Sequence, residues 1–284
     1  MATIVDGGAI MREIREEVRQ KIAELVERSR VTPRVAIVEF DANPETTVYT
    51  RQLQRAFSAV GIETTVEQIP EDAPLDDARG TLRRLSADAT VHGIQVQMPL
   101  PKHISLPDLT QALDPAKDLD GIHPYNAGLL AQGRPGIVPA TPLAGIEILD
   151  RHGIQIAGAR AVVVGRSVSV GRPAAALLVQ RDATVTVCHT KTRDMTSVTS
   201  QAEILMVAAG RAALVGPEMV RPGAAVIDFG INAVDGKLIG DVDAAAAEIA
   251  GLFTPVPGGT GPVTNAMMLR NALALYGQVV EESR

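Results

Sequence analysis

Short β-branched, apolar runs alternate along this chain with longer segments of helical spacing, and no other feature of the sequence restricts the fold as much. The runs at 35–40, 64–69, 91–96, 161–164, 184–188, 204–208 and 225–229 read as buried strands. Between them lie helical patterns. Ile10, Ile14, Val18, Ile22 and Leu25 fall on one face of a long first helix, with Glu and Arg opposite. Strands alternating with helices mean βαβ units and a mainly parallel sheet, so the expected class is α/β. A chain of 284 residues, 46% apolar, can bury a core without metal or disulfide staples and suits one large or two medium domains.

Punctuation supports two lobes. The stretch RPGIVPATP at 134–142 is rich in Pro and Gly, and Thr141 followed by Pro142 predicts an N-cap with Pro at the first helical position. A second boundary lies at TPVPGGTGP, 254–262. The helix after it, 263–280, offers Met267, Leu269, Ala272, Leu273 and Tyr276 for packing and is expected to return to the first lobe. The resulting division is 1–140 together with the C-terminal helix 263–284, and 141–262.

Composition removes several function classes. Aromatics make up 2% with no Trp, too few for a base-stacking platform, and a net charge of -6 argues against a general polyanion binder. No nucleic-acid partner is expected. Cys188 is the single cysteine and the five histidines are scattered, so neither an internal disulfide nor a cysteine-cluster metal site is expected. His92, His103, His123 and His152 read as surface or helix-end residues. The opening MATIVDGGAIMREIREEVRQ soon turns charged, and no apolar run is long enough for a bilayer. No membrane partner is expected, and the cytosol is the expected compartment.

The segment RAVVVGRSVSVGRP, 160–173, reads as a strand, a Gly turn and a helix start. A pyrophosphate must approach backbone N–H groups at such a turn, which excludes bulky side chains. Gly165, Ser167 and Gly171 supply small positions, although their spacing is not GxGxxG, and an ordinary strand–helix turn reads the same way. The next strand runs into His189, Thr190, Lys191, Thr192 and Arg193, with no acidic residue before Asp194. An acidic residue there would hold a ribose 2′-hydroxyl, whereas hydroxyls and cations, with Arg166 in the turn, suit a 2′-phosphate. This favours NADP over NAD. A solvated basic loop is the alternative.

Several segments, in order along nearly the whole chain, resemble the methylenetetrahydrofolate dehydrogenase/methenyltetrahydrofolate cyclohydrolase family. They are VHGIQVQMPLPKHI (91–104), DPAKDLDGIHPYNAG (114–128), VPATPLAGIEIL (138–149), VVVGRSVSVGRPAAALL (162–178), TVTVCHTKT (184–192), VIDFGIN (226–232), GDVD (240–243) and TPVPGGTGPVT (254–264). The resemblance implies an N-terminal α/β folate-binding lobe and a Rossmann-like NADP-binding lobe, usually in a homodimer. It implies oxidation of 5,10-methylenetetrahydrofolate and, in many members, hydrolysis of the methenyl product to 10-formyltetrahydrofolate. By position, Tyr49 would stack on the aminobenzoyl group, Gln97 would lie beside the reacting carbon and Asp120 would bind the pterin. Pro99, Pro262 and Thr264 would line the substrate, while Gly165, Arg166, Ser167, Ile231, Gly258 and Gly259 would hold the cofactor. Taken alone, Asp120 before Gly121 is a common turn pair, Gln97 is a residue at a strand end, and Tyr49 is a packing residue.

The sequence also departs from the family. Four residues after the tyrosine, one turn along the same helix face, the family carries a lysine, and here the position is Leu53. Glu39, Phe40 and Asp41 stand where the family usually has apolar residues and a glycine. In the family the lysine is the polarising and proton-transfer group of the hydrolytic step, held by Gln97. Leucine can do neither, and Arg51 and Arg55 lie on other helix faces. General acid–base groups typically contribute about 10²- to 10⁴-fold, so hydrolysis is expected to be weakened or lost while hydride transfer survives. The alternatives are a fully bifunctional enzyme, a dehydrogenase on a modified folate or pterin carrier, a non-catalytic NADP- or folate-binding protein, and a two-lobe dehydrogenase of the shikimate or amino-acid type.

Overall fold

The computed structural model of the chain describes residues 2–40 and 44–282, with side chains of the second helix described from Thr50 onward. The first half runs β1 (Thr3–Ile4), α1 (Gly7–Ser29), β2 (Arg34–Phe40), α2 (Pro44–Ser58), β3 (Glu63–Ile69), α3 (Leu75–Ala87) and β4 (Gly93–Val96). Short helices α4 (Leu106–Thr110) and α5 (Pro124–Ala131) precede the longer α6 (Ala140–Arg151). The second half continues with β5 (Arg160–Val164), α7 (Gly171–Gln180), β6 (Thr184–Cys188), α8 (Met195–Thr199) and β7 (Ile204–Val207). It ends with β8 (Ala225–Asp228), β9 (Asn232–Val234), β10 (Lys237–Ile239), β11 (Leu252–Phe253) and α9 (Thr260–Glu282).

All seven runs expected as strands are strands, with ends displaced by at most two residues. Val91 and His92 are the largest displacement. They precede β4, where the His92 N–H donates to Arg34 O and the His92 ring accepts the Arg34 N–H at 3.1 Å. His92 is therefore buried, edge-on to Tyr276, rather than on the surface. The helix start at 140 also differs from expectation. Pro139 is its N-cap and Thr141 lies inside the first turn without capping. Pro142 is tolerated there because the first N–H groups of a helix have no intrahelical partner. The hairpin of β9 and β10 was unforeseen although its Asp235-Gly236 turn, with φ of 50° and 75°, is a strong local hairpin signal.

The chain divides into two compact units, Met1–Arg12 with Pro139–Met267 and Glu13–Val138 with Met268–Arg284. The first holds a six-stranded, wholly parallel sheet in the order β1-β11-β8-β7-β5-β6. Residues 2–5 belong to it because β1 pairs with β11, a two-residue contact too short to leave a pattern in the sequence. The second holds the parallel sheet β3-β2-β4. Ala36, Val38, Phe40, Ile94 and Val96 on one face of this sheet pack with Ala78, Leu82 and Leu85 of α3. On α1, Ile14, Val18 and Ile22 are buried as their spacing requires, each worth about 1.5–3 kcal/mol. The C-terminal part of α9 joins this unit. The Asn271 amide donates to Leu119 O and Val138 O at 3.0 and 2.9 Å, and Tyr276 Oη donates to Val31 O. No described helix is long and apolar enough to cross a membrane.

Candidate active site

Parallel pairing brings the carboxyl ends of neighbouring strands to one edge of a sheet, and in the six-stranded unit that edge carries a cavity. Chain order reverses around β5, with β6 on one side and β7 on the other. Loops leaving such strands diverge and open a crevice. The cavity, of about 470 Å³, is lined by Gly165, Arg166 and Ser167 after β5, His189, Thr190 and Thr192 after β6, and Ala208, Ala209 and Arg211 after β7.

Each wall has a local cause. Gly165 has φ of 125°, and a side chain there would run into the Ala208 backbone. Ser167 Oγ accepts the N–H groups of Val170 and Gly171 at 3.2 and 3.3 Å, which closes the turn onto the start of α7. Gly171 is excluded from any larger residue by the Gly165 carbonyl. The His189 N–H donates to Thr192 Oγ1 at 2.8 Å, and the His189 ring accepts the Lys191 N–H at 3.1 Å, so the basic loop is ordered. Asp194, the first acidic residue after β6, uses its carboxylate to cap α8 through the Ser197 N–H.

The third wall rests on two buried carboxylates. Asp241 accepts the N–H groups of Ala209, Gly210 and Arg211 at 2.6–2.8 Å and the Asn232 amide at 2.9 Å. Asp228 beneath it accepts the N–H groups of Gly230, Asp241 and Val242. Burial, with a smaller contribution from Asp241, pushes the Asp228 carboxyl up to about 6 against the lowering effect of those bonds. Thr192, among the hydroxyls expected beside a phosphate, lines the cavity, and so does Arg211, which was not expected there. The small residues of AAGRAA after β7, beside a Gly turn, were the available signal for Arg211. Gly171, Arg193, Ile231, Gly258 and Gly259 do not line this cavity. Arg193 is exposed, and Ile231, 67% exposed, follows β8. Gly258 accepts the Gly7 N–H at 3.0 Å at the start of α1. Pro262 and Thr264 are half-buried in the first turns of α9.

In the three-stranded unit the polar residues gather on the sheet face opposite the apolar cluster. Registered partners in a parallel pair share a face and successive residues alternate. Val38 pairs with Val96 on the apolar face, so Glu39 and Gln97, one step on, point to the other, as does Gln68 opposite Glu39. Helix α2 covers this face. Thr50 Oγ1 donates to Glu39 Oε2 at 2.6 Å, and Gln68 Nε2 donates to Glu39 Oε1 at 3.1 Å. Leu53, one turn on from Thr50, is 3% exposed. Tyr49 lies in α2, its side chain outside the described residues, as is Asp41.

Gln97 Oε1 accepts from Gln95 Nε2 at 3.0 Å, both residues buried, and Gln95 Oε1 has no partner among the described residues. Among the described residues no lysine or arginine reaches Gln97. Lys117 instead donates to Asp88 O at 2.7 Å and Leu85 O. Met98 and exposed Pro99 follow at once. The segment 117–119 runs beside β4, with Leu119 N–H donating to Ile94 O, and so brings Asp120 to Val96. Burial, then the neighbouring Asp118, pushes the Asp120 carboxyl up to about 8, with the Val96 N–H acting the other way. Asp118 is the organiser of this loop, accepting the N–H groups of Ile122 and His123 and the Asn126 amide.

Comparison with known proteins identifies the family. Residues 139–279 match the family description "Tetrahydrofolate dehydrogenase/cyclohydrolase, NAD(P)-binding domain", and residues 5–120 match the catalytic domain of the same family. The bifunctional protein FolD of Chloroflexus aurantiacus is 49% identical over 274 residues, 96% of either chain. Among solved structures, the bifunctional FolD methylenetetrahydrofolate dehydrogenase/cyclohydrolase of Campylobacter jejuni superposes with a TM-score of 0.95 at 37% identity, covering 98% of this chain and 99% of that one. The Trypanosoma brucei enzyme, solved with NADP and an inhibitor, gives 0.92 at 35% identity over 98% of each chain. The chain belongs to the tetrahydrofolate dehydrogenase/cyclohydrolase family, and it is an oxidoreductase of two α/β units, one an NAD(P)-binding domain.

The support under the third wall is testable. Asp241→Ala removes the buried acceptor shared by three backbone N–H groups and the Asn232 amide, and is expected to cost at least about 2 kcal/mol in urea unfolding. A loss below about 0.5 kcal/mol would show that the 209–211 loop holds itself.

Proposed function

We propose that this enzyme oxidises 5,10-methylenetetrahydrofolate to the methenyl form with NADP, and that it hydrolyses the product to 10-formyltetrahydrofolate slowly or not at all. The single observation that carries the second half is Leu53, buried on the helix whose Thr50 bonds Glu39, with no cation in reach of Gln97 among the described residues. The NADP preference is supported by Arg166, Arg211, Thr190 and Thr192 around one cavity and by the diversion of Asp194 to a helix cap.

When bound, the oxidised nicotinamide accepts a hydride from the methylene carbon while the adjacent nitrogen lone pair forms the C=N bond. That step needs no protein base, so loss of a lysine leaves it intact. Gln97 positions the one-carbon unit, Asp120 accepts hydrogen bonds from the pterin, and Tyr49 stacks on the aminobenzoyl ring. Pro99, Pro262 and Thr264 complete the substrate side. Gly165, Arg166, Ser167, Gly171, His189, Thr190, Arg193, Ile231, Gly258 and Gly259 serve the cofactor. A homodimer through the NADP-binding unit and a cytosolic setting complete the reading. The dimer is supported by β6, an edge strand with exposed Val187.

The test follows NADPH formation and the fate of methenyltetrahydrofolate in the same reaction. Methenyl absorbance should accumulate in step with NADPH and then decay at the buffer rate. Decay well above that rate contradicts the loss of hydrolysis, and absence of NADPH contradicts the oxidation itself.

Asp120 gives the reaction a pH dependence of defined sign. Its carboxyl, pushed up to about 8, is mostly protonated in the empty site near neutrality. Pterin N–H donors favour the ionised form, so binding lowers the pKa and releases a proton. Affinity for tetrahydrofolate should rise with pH, by up to about tenfold per unit below the free-site value, and level off above it. Asp120→Asn should flatten the profile. A wild-type affinity that is constant across that range would remove Asp120 from the pterin site.

A further inference from the structure

Glu39 is a buried carboxylate with no basic partner among the described residues, and the proposed oxidation does not use it. It is 2% exposed, both oxygens accept hydrogen bonds, from Thr50 and Gln68, and no ion pair involves it among the described residues. A lone buried carboxylate is costly unless something offsets its charge. Its described surroundings supply neutral donors but no cation. Gln97, side by side with it on the next strand, has its carbonyl occupied by Gln95 Nε2. On the same face Gln95 Oε1, with the amides oriented as the network assigns them, is buried without any donor. Leu53 on the covering helix contributes no charge.

A carboxylate and an orphan acceptor on one sheet face form a site of negative potential whose missing component is a cation. We propose that Glu39 stabilises the positive charge that develops on the one-carbon unit during oxidation, so that this folate site favours the cationic methenyl product. The inference rests on the dehydrogenase reading above. In that reaction the methylene C–H bond breaks and hydride leaves with both electrons to oxidised nicotinamide. The nitrogen lone pair closes the C=N bond, the carrier gains one positive charge and the cofactor loses one. No proton is released. Glu39 therefore acts through its charge and moves no proton.

Neighbouring strands lie about 4.8 Å apart, so a group held against Gln97 feels the Glu39 charge at short range. At the effective dielectric of a partly buried site, such a charge changes a cation's binding by roughly ten- to a hundredfold. The arrangement also accounts for Leu53. A lysine there would put a positive charge on the helix that covers Glu39, whereas leucine adds none.

The experiment compares wild type with Glu39→Gln. It measures inhibition constants for 5,10-methenyltetrahydrofolate, cationic at the ring, and for tetrahydrofolate, uncharged there, together with the single-turnover rate of NADPH formation. Glu39→Gln should weaken methenyl binding roughly ten- to a hundredfold, slow hydride transfer by a similar factor, and leave tetrahydrofolate binding within about twofold. Equal weakening of both folates would show a structural role and overturn the proposal, as would no change in either. Wild type supplies a reading that needs no variant to fold, since it must bind the methenyl compound more tightly than tetrahydrofolate, and equal or weaker binding overturns the proposal. If wild type binds neither folate and forms no NADPH, the dehydrogenase reading falls and this inference falls with it. Wild-type NADPH formation with a failed Glu39→Gln discrimination rejects the inference alone.

Discussion

Parallel strand pairing is the constraint from which the chemistry of both units follows. Strands that all run the same way deliver their carboxyl ends, and the loops leaving them, to a single edge. In the six-stranded sheet the reversal of order around β5 separates three such loops, and the space between them is the cavity lined by Arg166, Thr190 and Arg211. In the three-stranded sheet the register that pairs Val38 with Val96 also sets Glu39 beside Gln97 on the opposite face. A slip of one residue would send those polar groups into the cluster of Val38, Phe40 and Ile94 and put valines beneath α2.

Carboxylates do different work at the two edges, and their surroundings decide which. Asp228 and Asp241 are saturated by backbone N–H groups, so they act as rigid struts for the loop that carries Arg211. Asp118 plays the same part for the loop that presents Asp120. Asp120 lacks that saturation and is held near neutrality by burial and by Asp118, which leaves it ready to ionise against a ligand's donors. Glu39 accepts only from a hydroxyl and an amide. In each case the number and charge of the donors separate a structural carboxylate from one that is available to a ligand.

Much of this was legible in the sequence because it rests on local pattern. The seven β-branched runs, the face of α1 through Ile14, Val18 and Ile22, and the Gly turn at Gly165 depend on periodicity and backbone freedom, which the residues display directly. The two-residue strands β1 and β11 left no signal because each exists only through pairing with a distant partner. The hairpin turn Asp235-Gly236 did leave one and was overlooked. Within the sites, Arg166, Ser167 and Thr190 could be read from a strand–turn–helix pattern, and Gln97 and Asp120 from family resemblance. Asp118 and Asp241 could not be singled out, since their importance lies in the backbone N–H groups they accept from loops, and Arg211 had only the small residues around it as a signal for a cavity wall built from three strands. Leu53 and Glu39 stood out as departures from a family pattern, but only the register across β2 and β4 sets Glu39 beside Gln97, and only the bond to Thr50 sets the helix that bears Leu53 over Glu39.

The central claim is that charge at this face, a leucine for a lysine with a glutamate beside it, separates oxidation from hydrolysis. Its most direct test is the double replacement Leu53→Lys with Glu39→Leu, which restores a lysine and removes the carboxylate that would neutralise it. Decay of 5,10-methenyltetrahydrofolate is followed above the buffer rate for this variant and for wild type. The account predicts wild-type decay at the buffer rate and a gain of at least about tenfold for the double variant. Rapid enzymatic decay in wild type, or no gain in a folded variant that still forms NADPH, would contradict it.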